Sequence, residues 1–206
     1  MDWIQIALFA VIGGVLLPFV LGPVLVHQKN RFPAFPSFDN LSVEQLPESI
    51  RQNFQRQAVL LTYDGFIVTD YLFQTGQVPN TTMYLALLVN RASSEMAMLV
   101  DMWNVTGAAT IRASYIEFST DFSDGVNINT NNNNEVGAFR ETREKVIFKF
   151  PEVQDPRALY TIHKRLTAMH RSAARPVLPP EAQEAAEVVR SMIRDMERQR
   201  QFGYCY

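Results

Sequence analysis

Residues 83–103 read MYLALLVNRASSEMAMLVDMW, and their patterning decides the fold. Met83–Val89 is apolar at both alternating positions, as a strand covered on two faces would be. Asn90–Glu95 is polar and punctuates like a turn. Met96–Trp103 is apolar again, broken by Asp101. Two such runs across a short polar stretch predict neighbouring antiparallel strands.

Outward from this pair the same alternation continues. Phe66–Phe73 is rich in β-branched and aromatic residues. Along Thr110–Phe122, Ile116, Phe118 and Phe122 face one way, and Tyr115, Glu117, Ser119 and Asp121 the other. Asp124-Gly125 is a hairpin signal, after which Val126–Thr130 returns. Lys145–Phe150 adds a last strand. The expected fold class is α+β, with about five or six antiparallel strands in a meander flanked by helices.

Three helices frame these strands. Ser42-Val-Glu-Gln45 reads as a capping box and Pro47 as a first helical position. Ile50, Phe54, Ala58 and Leu61 then follow helical spacing to about Tyr63, with Gly65 as the stop. Asp155-Pro156 opens a second helix, whose buried face is expected at Leu159, Ile162, Leu166 and Met169. A C-terminal amphipathic helix is expected from about Pro180 to Gln201.

The N-terminus is different in kind. Ile4–Val26 contains one clearly polar side chain, Gln5. About 20 apolar residues suffice to cross a bilayer as a helix. Met1-Asp2 supplies no basic n-region and Pro23–Val26 is a poor cleavage site, which favours a retained signal anchor over a cleaved peptide. Lys29 and Arg31 after the segment favour a cytoplasmic domain. Ala10, Gly14, Pro18 and Gly22 recur every four residues, a small-residue stripe suited to helix packing in a membrane. Phe32, Phe35 and Phe38, with Pro33 and Pro36 between them, match polyproline spacing. The expected organisation is a transmembrane anchor over 1–27, a Phe/Pro linker over 28–41, a soluble domain over 42–175, and a terminal helix and tail over 176–206.

Composition excludes some classes. A net charge of −2 argues against a nucleic-acid partner. The single cysteine, Cys205, permits no internal disulfide. No phosphate-binding glycine loop or nucleophile elbow occurs, so no cofactor or catalytic residue is expected. In the polar run Asp121–Glu135, placing Gly125 at the sixth position of a calcium loop puts Phe122 at the third and Asn131 at the twelfth, so the match fails. A hairpin with a solvated Asn loop is the simpler expectation, and a polar binding face the sharper one. His163 and His170 are seven apart, too far to share a metal readily, and read as polar-face residues of a surface helix.

Two surfaces invite partners. Arg157, Lys164, Arg165, Arg171 and Arg175 form a basic patch without an acid between Pro156 and Pro180. Such a patch suits anionic lipid headgroups or a phosphorylated partner, and a solvated helix face balanced by acids elsewhere is the simpler expectation. On the last helix, Ala182, Ala185, Val189, Met192 and Met196 form a short heptad seam, for a protein partner, a second copy or the sheet itself. The sequence does not disclose a biochemical function. It favours a single-pass membrane-anchored, non-catalytic binding or assembly module that contacts the lipid bilayer and a protein. The alternative is a lipid or other apolar ligand bound among Met83, Leu85, Leu87, Met96, Met98, Val100 and Met102. An enzyme lacking a known motif is a third reading.

Overall fold

All six strands expected from the alternation are present, and two short ones join them. The computed structural model describes residues 37–75, 80–106, 109–134, 142–170 and 174–202. The anchor, its stripe of Ala10, Gly14, Pro18 and Gly22, and most of the Phe/Pro linker lie outside the described residues. In chain order the elements are β1 (Asp39–Leu41), a 3-10 turn (Val43–Gln45), α1 (Glu48–Thr62), β2 (Ile67–Thr75), β3 (Thr81–Asn90), β4 (Glu95–Thr106), β5 (Ala109–Phe122), β6 (Asn127–Asn131) and β7 (Lys145–Lys149). They are followed by α2 (Pro156–Met169), β8 (Pro176–Val177) and α3 (Glu184–Gln201). The result is an α+β domain with one open, mostly antiparallel sheet and three helices.

Strands β1 to β7 lie in the sheet in chain order, and β8 pairs with β5 off that path. The count therefore exceeds the five or six expected. Both additions are too short for periodicity to register. Asp39–Leu41, within the segment read as linker, pairs with Tyr71–Phe73. β8 takes the edge of β5 beyond Ser119, where pairing with β4 ends at Met96. The sheet is also not wholly antiparallel, because β6 and β7 run parallel. A parallel neighbour needs a crossover rather than a tight turn, and 13 residues separate the end of β6 from the start of β7 in the sequence.

Local chemistry explains the helix ends. The Gln45 side chain accepts from the Ser42 backbone N–H at 2.7 Å, so that box caps the 3-10 turn. Pro47 then stands just before α1 rather than inside it. Gly65 has φ +91°, the left-handed geometry that stops the chain running on as helix. Asp155 caps α2 by accepting from the N–H groups of Arg157 and Ala158, with Pro156 at the first position.

The sheet has a helix layer on each side. On one face α1 buries Ile50, Phe54, Ala58 and Leu61, the four residues expected. They meet Leu88, Leu99, Ile116 and Phe118 of the sheet and Leu159 and Tyr160 of α2. Phe66 packs edge-on to Tyr160, with ring centroids 4.9 Å apart. Each fully buried side chain of this size contributes about 1.5–3 kcal/mol through water exclusion. On the other face Leu72, Leu85, Leu87 and Val100 form a second cluster, against which Phe38, Ala185 and Val188 pack. The two-faced apolarity of Met83–Val89 is thus a double burial.

Helix α2 is rotated from its expected setting. Its buried stripe is Pro156, Leu159, Tyr160, His163 and Thr167, whereas Met169 is 83% exposed. His163 is therefore no surface histidine. The Asn run is likewise not a solvated loop: Asn129, Asn131 and Asn132 are buried. Strand β6 is interior to the sheet; α2 packs on one of its faces, and the second half of α3 lies beside Asn127 on the other.

Candidate functional site

The face of the sheet toward α3 changes character from left to right. Over β2–β4 it is apolar, with Met83 and Met102 as direct register partners. Over β5–β7 it is built of charge and amide. Glu117 and Asp121 stand on β5, two positions either side of Ser119. Their register partners on β6 are Asn131 and Asn127. On β7 the partners of Asn127 and Asn131 are Lys145 and Lys149. Period-two alternation on three adjacent strands therefore stacks acids, amides and lysines in neighbouring columns.

The amides are tied to the acids. Asn127 Nδ2 donates to Asp121 Oδ1 and to Ser119 Oγ, both at 2.8 Å. Asn129 and Asn131 donate to the two oxygens of Glu117 at 3.1 and 3.2 Å. Burial pushes the Glu117 carboxyl above its usual range, with Lys145 and Asn131 opposing. Burial also raises Asp121, opposed by Asn127 and Arg194.

Helix α3 lies across this floor with an unusual stripe inward. Its buried residues are Glu184, Asp195 and Gln199, all polar. Arg91 pairs with Glu184 near one end, and Lys145 pairs with Asp195 nearer the other. Arg198 reaches Glu144 at 2.7 Å, and Arg194 reaches Glu187 at 2.7 Å. Burial alone would raise Glu187, but Arg194 and Arg190 hold its carboxyl below the usual range.

Between the β5–β6 turn and the second half of α3 is a cleft of ≈ 240 Å³. Asp121, Asn127, Ser191, Arg194, Asp195 and Arg198 supply its polar lining, and Phe122 and Gly125 close the turn side. Gly125, at φ +87°, has open space where a Cβ would stand. Two amide oxygens of this floor, Asn127 Oδ1 and Asn129 Oδ1, are buried without a hydrogen-bond partner. The lining interleaves carboxylates and guanidinium groups, with Arg198 Nη1 3.7 Å from Asp195 Oδ1.

The seam expected on the last helix is only partly inside. Ala182 precedes α3 at φ +62°. Ala185 packs on the Leu72 cluster. Val189, Met192 and Met196 are half-buried along the helix flank. The basic patch stays outside the cleft. Arg157 pairs with Asp64 at 2.9 Å and lies over the Tyr63 ring. Lys164 sits 4.5 Å above the Tyr160 ring centre. Arg165 and Arg175 are exposed, and Arg171 lies outside the described residues.

His163 serves the core. Its Nε2 lies 2.9 Å from Thr120 Oγ1 and its Nδ1 2.9 Å from Thr130 Oγ1, and its ring stacks on Phe118. Burial lowers its pKa to about 4, so the ring is neutral. His170 lies against Phe122 instead. Among the described residues no group of three His, Cys, Asp or Glu side chains is placed to hold a metal, and no helix is long and apolar enough to cross a membrane.

Comparison of the chain with protein-family models, curated proteins and solved structures finds no match. Sequence reasoning missed the roles of Glu117, Lys145 and Asp195. Their signal was present: Glu117 and Asp121 precede the Asp124-Gly125 turn on one parity, and Asn127, Asn129 and Asn131 follow on the matching one.

Proposed function

We propose that the chain is a single-pass membrane-anchored, non-catalytic binding or assembly module. Ile4–Val26 is its anchor, and the α+β domain lies on the cytoplasmic side. The observation that carries the assembly reading is the setting of α3. Its fully buried residues, Glu184, Asp195 and Gln199, are polar, and beyond Ala185 and Val188, which pack on the sheet, the apolar residues Val189 and Met192 are left half-covered on the flank. A surface helix ordinarily turns its apolar stripe inward, and a broken local rule is where a functional demand is expected. A protein partner or second copy along this flank completes the burial, and methionine adapts readily to such a surface.

The test is crosslinking in native membranes. In a Cys205→Ser background, a thiol-directed crosslinker is placed through Val189→Cys or, as the outward-facing control, Ala186→Cys. A discrete adduct at position 189 that mass spectrometry resolves into one partner or a second copy supports the module. Identical products from both positions, or none, remove the flank as its contact. Thiol labelling of native Cys205 in intact cells checks orientation, since a cytoplasmic tail reacts only after permeabilisation.

A second reading is favoured by one observation. Met83 and Met102 face each other across β3–β4, and with Met98 they remain half-covered beside the first half of α3. An apolar ligand, such as a fatty acid, fits that row. Photolabelling with a diazirine fatty acid should then modify peptides carrying Met83, Met98 or Met102, and modification elsewhere alone speaks against it.

A further inference from the structure

The described chain enters the sheet at one of its two ends. β1 is antiparallel to β2 with Asp39 opposite Phe73, so the residues before Asp39 arrive from beyond Thr75. Phe38 packs there on the Leu72 cluster, as do Met83 and Met102. Residues 27–36 are all that separates this entry from the apolar run Ile4–Val26. Fully extended, a chain of that length spans about 35 Å. Strand β4, of 12 residues, is itself about 40 Å long. If Ile4–Val26 lies in a bilayer, the linker is used up before the far end of the sheet can turn toward it.

The near end carries a belt of half-covered aromatic and apolar side chains. Phe73 and Tyr84 are register partners with ring centroids 5.0 Å apart. Trp103 follows on the same face of β4, two residues beyond Asp101, the partner of Tyr84. All three rings are partly exposed. Val105, one step further out, is 50% exposed. Met83 and Met102 are half-covered on the opposite face. Trp and Tyr, with an apolar body and a polar tip, concentrate where a bilayer meets water. Arg112 beside Trp103 is committed to Asp101, so the attraction of this belt is apolar and aromatic rather than ionic. Val59, Tyr63 and Ile67 are exposed too, but they lie at the far end, where α1 hands over to β2.

We infer that the end of the sheet bearing Trp103 and Val105 rests on the interfacial layer of the bilayer. The contact deepens the anchor reading and rests on it. It fixes the orientation of the domain, holding the far end and α3 away from the lipid, where a protein partner can reach them. The occupant is a neutral lipid surface of the phosphatidylcholine type.

The experiment is depth-resolved quenching of the full chain in phosphatidylcholine vesicles. In a Cys205→Ser background, a bimane probe is placed through Val105→Cys, Tyr63→Cys, Met169→Cys or, within the apolar run, Ala10→Cys. A headgroup nitroxide lipid should quench the probe at 105 at least three-fold more steeply than those at 63 and 169. A nitroxide at carbon 12 of the acyl chain should quench the probe at 10 more than that at 105. Native Trp103, made the sole tryptophan by Trp3→Phe, is a second reporter that leaves the sheet untouched. The headgroup lipid should quench it as well, and Val105→Asp should halve that quenching or more at an unchanged melting temperature. If position 105 and Trp103 are quenched no more than positions 63 and 169 while position 10 is quenched, the contact is overturned and the anchor stands. If position 10 also escapes the acyl-chain nitroxide, the anchor reading falls and the contact with it.

Discussion

Asp101 on β4 and Arg112 on β5 form a forked ion pair across the antiparallel ladder. Arg112 Nη2 lies 2.5 Å and Nε 3.2 Å from Asp101 Oδ2, and Nε also lies 3.0 Å from Oδ1. Asp101 is 0% exposed, whereas the Arg112 side chain keeps 38% of its surface in water. Trp103 Nε1 donates to Asp101 Oδ1 at 2.7 Å, and the guanidinium lies 5.1 Å above the Trp103 ring centre. The acid that interrupts an apolar strand is therefore fully engaged.

Arg112→Ala removes the charge partner and leaves the buried carboxylate with the indole donor. Breaking a buried pair from one side costs about 3–5 kcal/mol, and the exposure of Arg112 puts the expected loss near the lower figure. Asp101→Asn, which keeps the shape, should cost less. Urea unfolding with linear extrapolation checks both. Equal stability of Arg112→Ala and the native chain would show the pair to be dispensable.

His163 carries a pH dependence of defined sign. Its folded pKa, about 4, is below the unfolded value of about 6.5. The unfolded chain therefore binds the extra proton between those values, and stability falls as pH drops from 6.5 through 4. The full span amounts to about 3 kcal/mol at ~1.4 kcal/mol per pH unit. Against His163→Gln, the native chain should lose relative stability on moving from pH 7 to pH 4.5. Parallel stability curves for the two proteins would contradict the assignment.

Glu117 has the opposite sign. Its folded pKa is raised, so the folded state holds the proton longer, and its burial costs stability as pH rises past the unfolded carboxyl value. Glu117→Gln should therefore gain on the native chain between pH 4.5 and pH 7. Denaturation midpoints at the two ends of that range report the trend.

Gly65 ends α1 under two constraints. Its φ of +91° disfavours any side chain, and an added Cβ would stand 3.2 Å from Asn90 Nδ2. That amide donates to the Asp64 carbonyl at 2.7 Å and cannot move without losing the bond. Gly65→Ala should destabilise the domain by about 1–3 kcal/mol, measured as a drop in melting temperature. An unchanged melting temperature would mean the turn relaxes freely.

Much of the fold was legible because burial imposes periodicity. Ile50, Phe54, Ala58 and Leu61 announce the inner face of α1, and Ile116, Phe118 and Phe122 announce that of β5. Asp124-Gly125 marks its hairpin through a residue free to adopt positive φ. The candidate cleft was far less legible. Asn127, Asn129 and Asn131 look like a wet edge, because polarity along a strand normally signals water. Here α3 covers them, and its own inward residues are the charged ones that ordinary amphipathic reading places outside.

Among the described residues, the sequence by itself determined the α+β class, six of the eight strands, the antiparallel order of five of them and all three helices, since each follows from local propensity and from the alternation of apolar residues. Only the tertiary structure decided that β7 returns parallel, that His163 lies in the core, and that α3 buries Glu184 and Asp195 beside Ala185 and Val188. The last of these depends on charges far apart in the chain, Arg91 with Glu184 and Lys145 with Asp195, and His163 likewise meets Thr120 and Thr130 only in the folded chain. A buried charge is tolerable only where its partner arrives, and that meeting has no period to be read along the chain.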